Sequence, residues 1–201
     1  AAIMAGWHAS RDFAHHITRG PGRPLSAAQI RARVAREARE SREKQRRFAF
    51  GVRLNADDRL IGVVGLEDIL WNHGEARLVL AIGAATDRRQ GHGAAALALI
   101  LRWAFTELNL YRVWLDIGGD NAAAVRFFER HGFVIEIRRR EALLRADKRF
   151  DVLRLSLLHE EWCGEPVPVA PDLPPASAPA PFPARPRVNL VAVEARDTAA
   201  I

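Results

Sequence analysis

Thirteen residues, Ala81-Ile82-Gly83-Ala84-Ala85-Thr86-Asp87-Arg88-Arg89-Gln90-Gly91-His92-Gly93, concentrate the residue types that hold an anion. An apolar strand pattern ends there, a turn rich in Arg and Gly follows, and a long apolar helix pattern begins. The first amides of a helix have no internal partner and carry a partial positive charge. Gly91 and Gly93 let backbone approach a ligand closely, and Arg88 and Arg89 add mobile positive charge. The combination suits a pyrophosphate. It is not the dinucleotide fingerprint G-x-G-x-x-G, because position 96 is Ala, and no G-K-[S/T] follows to make a Walker A loop. A lone G-x-G reads better as a strand-to-helix turn without a ligand. Other chemistry is sparse. The single Cys163 excludes an intramolecular disulfide framework and a multi-cysteine zinc site, and it is no candidate nucleophile. His8, His15 and His16 cluster without the carboxylate or cysteine spacing of a metal site, so no metal is expected.

Such a loop needs a frame. Ala1–Ala14 reads as a helix bearing Ile3, Met4, Trp7 and Phe13, broken by Gly20-Pro21-Gly22. Ser26 opens a second helix with Gln29 three residues on, the spacing of a capping box. Ile30, Val34 and Ala38 mark its buried stripe, and Arg33/Glu37, Arg36/Glu40 and Arg39/Glu43 a solvated face. Strands are predicted at Phe48–Leu54, Leu60–Leu70 and Ala76–Gly83, with turns at Asn55–Asp58 and Asn72-His73-Gly74. Then follow a helix over Gly93–Leu108, a strand over Tyr111–Ile117, a helix over Asn121–His131 ended by Gly132, and strands over Phe133–Ile137 and Val152–Leu158. A meander followed by alternating helices and strands argues for a mixed α/β sheet with helices on its faces.

The chain has 201 residues, enough to bury a core without staples. Its longest uncharged apolar run, Ala94–Leu101, falls far short of the ~20 residues that span a bilayer. No signal segment opens it, so it reads as cytoplasmic. It starts at Ala1 rather than Met, consistent with a natural N-terminus that extends further. Nine of its eleven prolines lie between Pro166 and Pro186. The expected organisation is therefore a domain over residues 1–162, a Pro/Ala-rich disordered linker over 163–187 and a short segment over 188–201. In that segment Val188–Ala195 can pair as a strand but has no obvious local partner. The formal charge is +6, with 30 basic residues against 24 acidic ones. Since the stretch after Trp162 is slightly acidic, the positive charge belongs to the body. An anionic partner fits, either nucleic acid or a phosphorylated small molecule.

Arg88-Arg89-Gln90-Gly91-His92-Gly93 resembles the R-x-x-G-x-G/A acetyl-coenzyme A loop of the GNAT (Gcn5-related) N-acetyltransferases. Ile61-Gly-Val-Val-Gly-Leu66 resembles that family's third strand, and Phe105–Leu115 its helix-to-strand junction. Asn121-Ala-Ala-Ala-Val-Arg-Phe-Phe-Glu-Arg-His-Gly-Phe133 is similar to its N-x-x-A-x-x-x-Y-E-K-x-G-F stretch. Asp151–Trp162 is similar to the last strand of the subgroup with ribosomal-protein alanine N-acetyltransferases and spermidine N-acetyltransferases. The resemblance covers about residues 1–162. It implies a GNAT fold: a central mixed, mostly antiparallel twisted sheet flanked by helices. It also implies that strands 76–83 and 111–117 splay apart. Acetyl-coenzyme A would lie in that cleft as cosubstrate, its pantetheine arm along Ala81, Ile82 and Gly83. The amides of Gln90, Gly91, His92, Gly93 and Ala94, beside Arg88 and Arg89, would hold its pyrophosphate. Asn121 matches the residue that helps fix the arm, and it also reads as a helix N-cap.

Three departures stand out. The family tyrosine that protonates the leaving thiolate falls at Phe128, a cofactor-side position without a hydroxyl. The glutamate common near the start of the fourth strand falls at Arg77. The first strand is missing, which leaves a sheet edge open; this invites pairing with a second copy, a homodimer, or cover by the strand-like Val188–Ala195. Candidate bases are Glu67, with its neighbour Asp68, and Asp116, each acting through a water; each reads more readily as an ordinary polar strand residue. The implied activity is acetyl transfer to a primary amine, a peptide N-terminus or a small molecule, by direct attack in a ternary complex. The alternative is an acetyl-coenzyme A-binding regulatory module with little or no turnover. A nucleic-acid partner ranks last, since stacking motifs and a repeated basic stripe are lacking, and no membrane partner is expected.

Overall fold

Alternating apolar residues across residues 48–83 commit the chain to a β-meander, and the charge-poor run after Gly93 supplies a helix to cover it. The computed structural model describes residues 2–9, 25–44, 46–162 and 188–192. Its elements are α1 (Ala2–Ala9), α2 (Ala27–Lys44), β1 (Phe48–Leu54), β2 (Leu60–Leu70), β3 (Glu75–Ile82), α3 (His92–Arg102), β4 (Arg112–Gly118), α4 (Ala122–Glu129), β5 (Val134–Arg145), β6 (Lys148–Leu158) and β7 (Val188–Ala192). Residues 10–14 of the first expected helix, the Gly20-Pro21-Gly22 break, His15, His16, Cys163 and the linker lie outside the described residues, as do the side chains of His8, Ala38, Glu37, Glu40 and Glu43.

The seven strands form one sheet in the order β5-β6-β4-β3-β2-β1-β7. Every neighbouring pair is antiparallel except β3 and β4. A parallel pair needs a crossover, and α3 provides it. Its Ala95, Ala96, Leu97, Ile100 and Leu101 are buried and join Leu66, Leu78, Val113, Leu115, Leu155 and Leu157 in one core. Full burial of each large aliphatic side chain contributes roughly 1.5–3 kcal/mol. The helix runs on as a π-helical turn, Trp103–Glu107. There the Trp103 ring meets Phe48 and Phe50 of β1 edge-on, at 5.0 and 5.3 Å.

The capping box of α2 forms as its sequence implies: Gln29 N–H donates to Ser26 Oγ, and Ser26 N–H to Gln29 Oε1 at 2.8 Å. Two expectations change. The last hairpin is longer than its apolar pattern, because β5 is exposed along most of its length and burial leaves no alternation there. Its turn residues, Ala146 and Asp147, take positive φ of 44° and 61°. The second concerns the edge left by the missing first strand, which the chain's own last segment covers. There β7 pairs antiparallel with β1, from Leu54 opposite Val188 to Phe50 opposite Ala192.

Candidate active site

The parallel contact between β3 and β4 lasts for three residue pairs: Glu75 with Arg112, Ala76 with Val113 and Arg77 with Trp114. Beyond that, Leu78–Ile82 stays with β2 and Leu115–Gly118 stays with β6. The two strands therefore part toward their C-terminal ends. In an open sheet with a parallel crossover this is where ligands bind. The backbone groups of Leu78–Ile82 that point away from β2 have no strand partner there.

The loop from Gly83 to Gly91 crosses the mouth of the splay. Arg88 folds back onto it, its Nε donating to the Ile82 carbonyl at 3.2 Å and its Nη2 to the Gly83 carbonyl at 2.9 Å. It is thus a brace, not the mobile charge its sequence position implies, whereas Arg89 is exposed. One residue earlier, buried Asp87 receives both guanidinium nitrogens of Arg59, each at 2.9 Å. These bonds hold the Asp87 carboxyl below the usual carboxylate range, against the opposing effect of burial. Gln90 ties its side-chain amide to the Thr86 carbonyl.

Gly91 caps α3 at φ 84°, and a Cβ there would meet nothing, so this glycine is required by its backbone angle and not by space. Arg89 also takes a positive φ, 60°. The first intrahelical bond runs from Ala95 N–H to the Gly91 carbonyl. The amides of His92, Gly93 and Ala94 precede it and face no acid in the first turn. His92 is 7% exposed, and its Nδ1 is buried with no hydrogen-bond partner. Amides without helical partners and an orphaned imidazole nitrogen in one turn fit a phosphate-bearing ligand.

The indole of Trp7, from α1, lies against the Gly83 backbone so closely that a Cβ at Gly83 would overlap it. Trp7 is 8% exposed and packs with Leu60, Met4, Val63 and Ala81. This helix therefore closes one wall beside β3. Sequence reasoning gave Trp7 no role at the site and passed over Arg59 and Asp87. A glycine ending an apolar strand was the available signal for the first; an acid directly preceding Arg88 and Arg89 was the signal for the second.

The remaining candidates are all engaged. Glu67 holds Arg47 at 2.6 Å through Oε1 and Arg77 through Oε2, and Asp68 holds Arg77 Nε at 2.9 Å. Asp116 accepts from Arg154 Nε and Nη2 at 2.8 and 3.0 Å, and that guanidinium sits 4.0 Å over the Trp114 ring. Glu136 is held by Arg112 and Ser156, both at 2.6 Å. Phe128 is 5% exposed and packs edge-on against Phe127 and Phe133. Phe127 reaches the start of α3 beside Gly93. Asn121 Oδ1 caps α4 by accepting from Ala124 N–H at 3.1 Å. Among the described residues no group of three His, Cys, Asp or Glu is placed to hold a metal ion. Among those residues, too, no helix is long and apolar enough to cross a membrane.

Residues 1–134 match the family model described as acetyltransferase (GNAT) domain. The spermidine N(1)-acetyltransferase of Vibrio cholerae serotype O1 is 30% identical over 118 residues, 59% of this chain and 66% of that protein. A Bacillus subtilis protein named "Probable N-acetyltransferase YjcK" is 34% identical over 100 residues, 48% of this chain and 54% of the other. The matched stretch thus spans under two thirds of either relative. The crystal structure of spermidine N-acetyltransferase from Vibrio cholerae in complex with CoA and spermine superposes with a TM-score of 0.69 at 23% identity, over 80% of this chain and 90% of that one. At that identity the likeness speaks for the fold alone.

Proposed function

The chain belongs to the GNAT acetyltransferase family, and we propose that it transfers the acetyl group of acetyl-coenzyme A to a primary amine by direct attack in a ternary complex. The observation that carries this is the splay of β3 and β4 opening beside the free amides at the start of α3. Acetyl-coenzyme A supplies an acetyl group activated as a thioester. Ala81, Ile82 and Gly83 would line its arm, and Gln90, Gly91, His92, Gly93 and Ala94, with Arg89 beside them, would take its pyrophosphate. Arg88 would serve by holding the loop, and Asn121 and Phe128 by shaping the wall of α4.

The acceptor follows from proton energetics and from the arginines. Deprotonating an alkylammonium of pKa ~10.4 at pH 7 costs roughly 4.6 kcal/mol, while an α-amino group near ~8 costs about 1.4 kcal/mol. Glu67 and Asp116, the candidate bases, already bind guanidinium groups, and either would have to act through a water from within its ion pair. A polyamine also needs carboxylates that are not neutralised, and Glu67, Asp116 and Glu136 each have an arginine. The reading is therefore an amine of lowered pKa, such as a peptide N-terminus or an amino sugar, in place of the polyamine named for the Vibrio cholerae relative.

Thiol release from acetyl-coenzyme A, followed across pH 6–9 with an alanyl peptide and with spermidine, tests both halves. The expected result is turnover favouring the peptide, most clearly below pH 8. A strong spermidine preference would overturn the acceptor assignment. The buried Phe128, without a hydroxyl, favours a second reading, a binding module without turnover; micromolar acetyl-coenzyme A binding with no thiol release from any amine would establish it instead.

A further inference from the structure

We propose that the tip of the β5–β6 hairpin docks an acidic segment of the acceptor, which is then a peptide with Asp or Glu downstream of its N-terminal amine. This rests on the acetyl-transfer reading above and names the substrate class of that same site. Residues 138–149 hold six basic residues against two acidic ones, in a chain whose formal charge is +6. The cofactor site uses none of this surplus. Arg139, Arg140, Lys148 and Arg149 are all exposed. Two acids beside the hairpin are already held: Asp151 accepts from Arg138 and from Glu141 N–H, and Asp120 accepts from Arg145. The remaining positive charge is open to an anionic partner.

The hairpin stands at the mouth of the splay. β4 ends at Gly118, opposite Val152, at the end of the sheet where β3 and β4 part. The hairpin runs on past that level, with Leu143 opposite Phe150, Leu144 opposite Arg149 and Arg145 opposite Lys148. It leans on the loop that leaves β4. A Cβ at Gly118 would meet Leu143 Cδ2 at 2.8 Å, and Arg145 holds Asp120 at 2.5 Å. The next residue, Asn121, caps α4. Between Arg139 and Leu143 the pairing shifts register, and Glu141 takes a positive φ of 52°. Bulges of this kind re-aim side chains, and Arg140 lies within this one.

The dimensions suit an extended peptide. Arg139 is two strands from β4, or ~10 Å, and Lys148 and Arg149 lie ~10–13 Å further along. An extended chain advances ~3.3–3.6 Å per residue, so an amine in the splay brings roughly the third to seventh residues over these cations. Carboxylates there can take two parallel hydrogen bonds from a guanidinium. A single-stranded polynucleotide fits less well, because its bases need aromatic faces to stack on. Phe150, the aromatic residue nearest the tip, is half-buried, whereas Leu144 is 60% exposed and suits a peptide side chain.

Decapeptides labelled at the C-terminus test this with the full chain. All begin with Ala; positions three to seven are Asp and Glu in one, Asn and Gln in a second, and Lys in a third. Fluorescence anisotropy with saturating coenzyme A gives Kd, and thiol release from acetyl-coenzyme A gives turnover. The acidic peptide is expected to bind about tenfold more tightly than the neutral one at ~0.05 M salt, and within ~3-fold at ~0.2 M. Combining Arg139→Glu with Arg140→Glu should reverse the order, with the lysine peptide bound at least ~3-fold more tightly than the acidic one. A misfolded chain cannot give that reversal. Arg102→Glu, at an exposed arginine on the C-terminal end of α3, should keep the original order. Equal affinity for the acidic and neutral peptides would overturn the proposal, as would the same reversal in Arg102→Glu. So would an RNA decamer that binds the hairpin more tightly than the acidic peptide. Charge-ordered binding with no thiol release from any peptide would uphold the docking site and overturn the acetyl-transfer reading instead. Turnover of all three peptides without a charge order would do the opposite.

Discussion

Arg59 grips Asp87 through two hydrogen bonds of 2.9 Å, Nη1 to Oδ2 and Nη2 to Oδ1, and so joins the start of β2 to the loop that precedes α3. Asp87 sits next to Arg88, which in turn holds the carbonyls of Ile82 and Gly83. Two arginines thus set the loop from opposite sides. Asp87→Asn or Arg59→Met is expected to raise the KM for acetyl-coenzyme A about tenfold, equivalent to ~1.4 kcal/mol, with little change in kcat. Arg59→Lys should recover only part of this, because an ammonium cannot make the two-point contact. Steady-state kinetics would show the assignment wrong if KM stayed constant while kcat fell.

The same carboxylate predicts an acid-side dependence of stability. Its pKa is lowered in the folded chain, chiefly by the Arg59 hydrogen bonds. A lowered value means the unfolded chain binds the proton first as pH falls. The contribution of Asp87 is therefore complete above the unfolded value near ~4 and is lost as the pH drops below it. Thermal unfolding between pH 6 and pH 3 should show a steeper fall for the native sequence than for Asp87→Asn. Parallel curves would remove Asp87 from the account.

Gly83 and Trp7 form a contact that only glycine permits. Gly83→Ala must displace the indole, and with it the packing of α1 on β3. Overpacking of this kind costs about 1–3 kcal/mol, or a Tm lower by about 5 °C in a chain of this size. Trp7→Ala in the same chain should make the added methyl group harmless, so the two effects should not add. Additive losses in calorimetry would place the strain elsewhere.

Phe128 fixes the limit on leaving-group help. A coenzyme thiol near pKa ~8.5 lies ~1.5 units above pH 7, so a perfect acid there could gain at most roughly 2 kcal/mol, about 30-fold. Phe128→Tyr is expected to speed turnover within that bound at saturating acetyl-coenzyme A. An unchanged or lower rate would show that this position does not face the leaving sulfur.

The strands β1 and β2 could be read residue for residue, because both faces of that meander are constrained by packing and its turns are polar. The hairpin of β5 and β6 could not. Arg138, Arg139 and Arg140 stand exposed on an edge strand, and Ala146-Asp147 lacks the Asn-Gly chemistry that marks a tight turn. At the site, Gly91 and Gly93 announced the loop through local spacing. The Arg59–Asp87 pair joins residues 28 apart, and the ion pairs of Glu67 and Asp116 join different strands. Such partnerships arise only once the sheet has brought distant segments together, so no local pattern records them.

The seating of β7 also sets an order of events during synthesis. Residues 48–54 leave the ribosome more than a hundred residues ahead of residues 188–192. At ~5–20 residues per second, the open flank of β1 waits roughly ten seconds for its last neighbour. By the end of that interval the nascent chain has the elements of the candidate site but still lacks one border of its sheet.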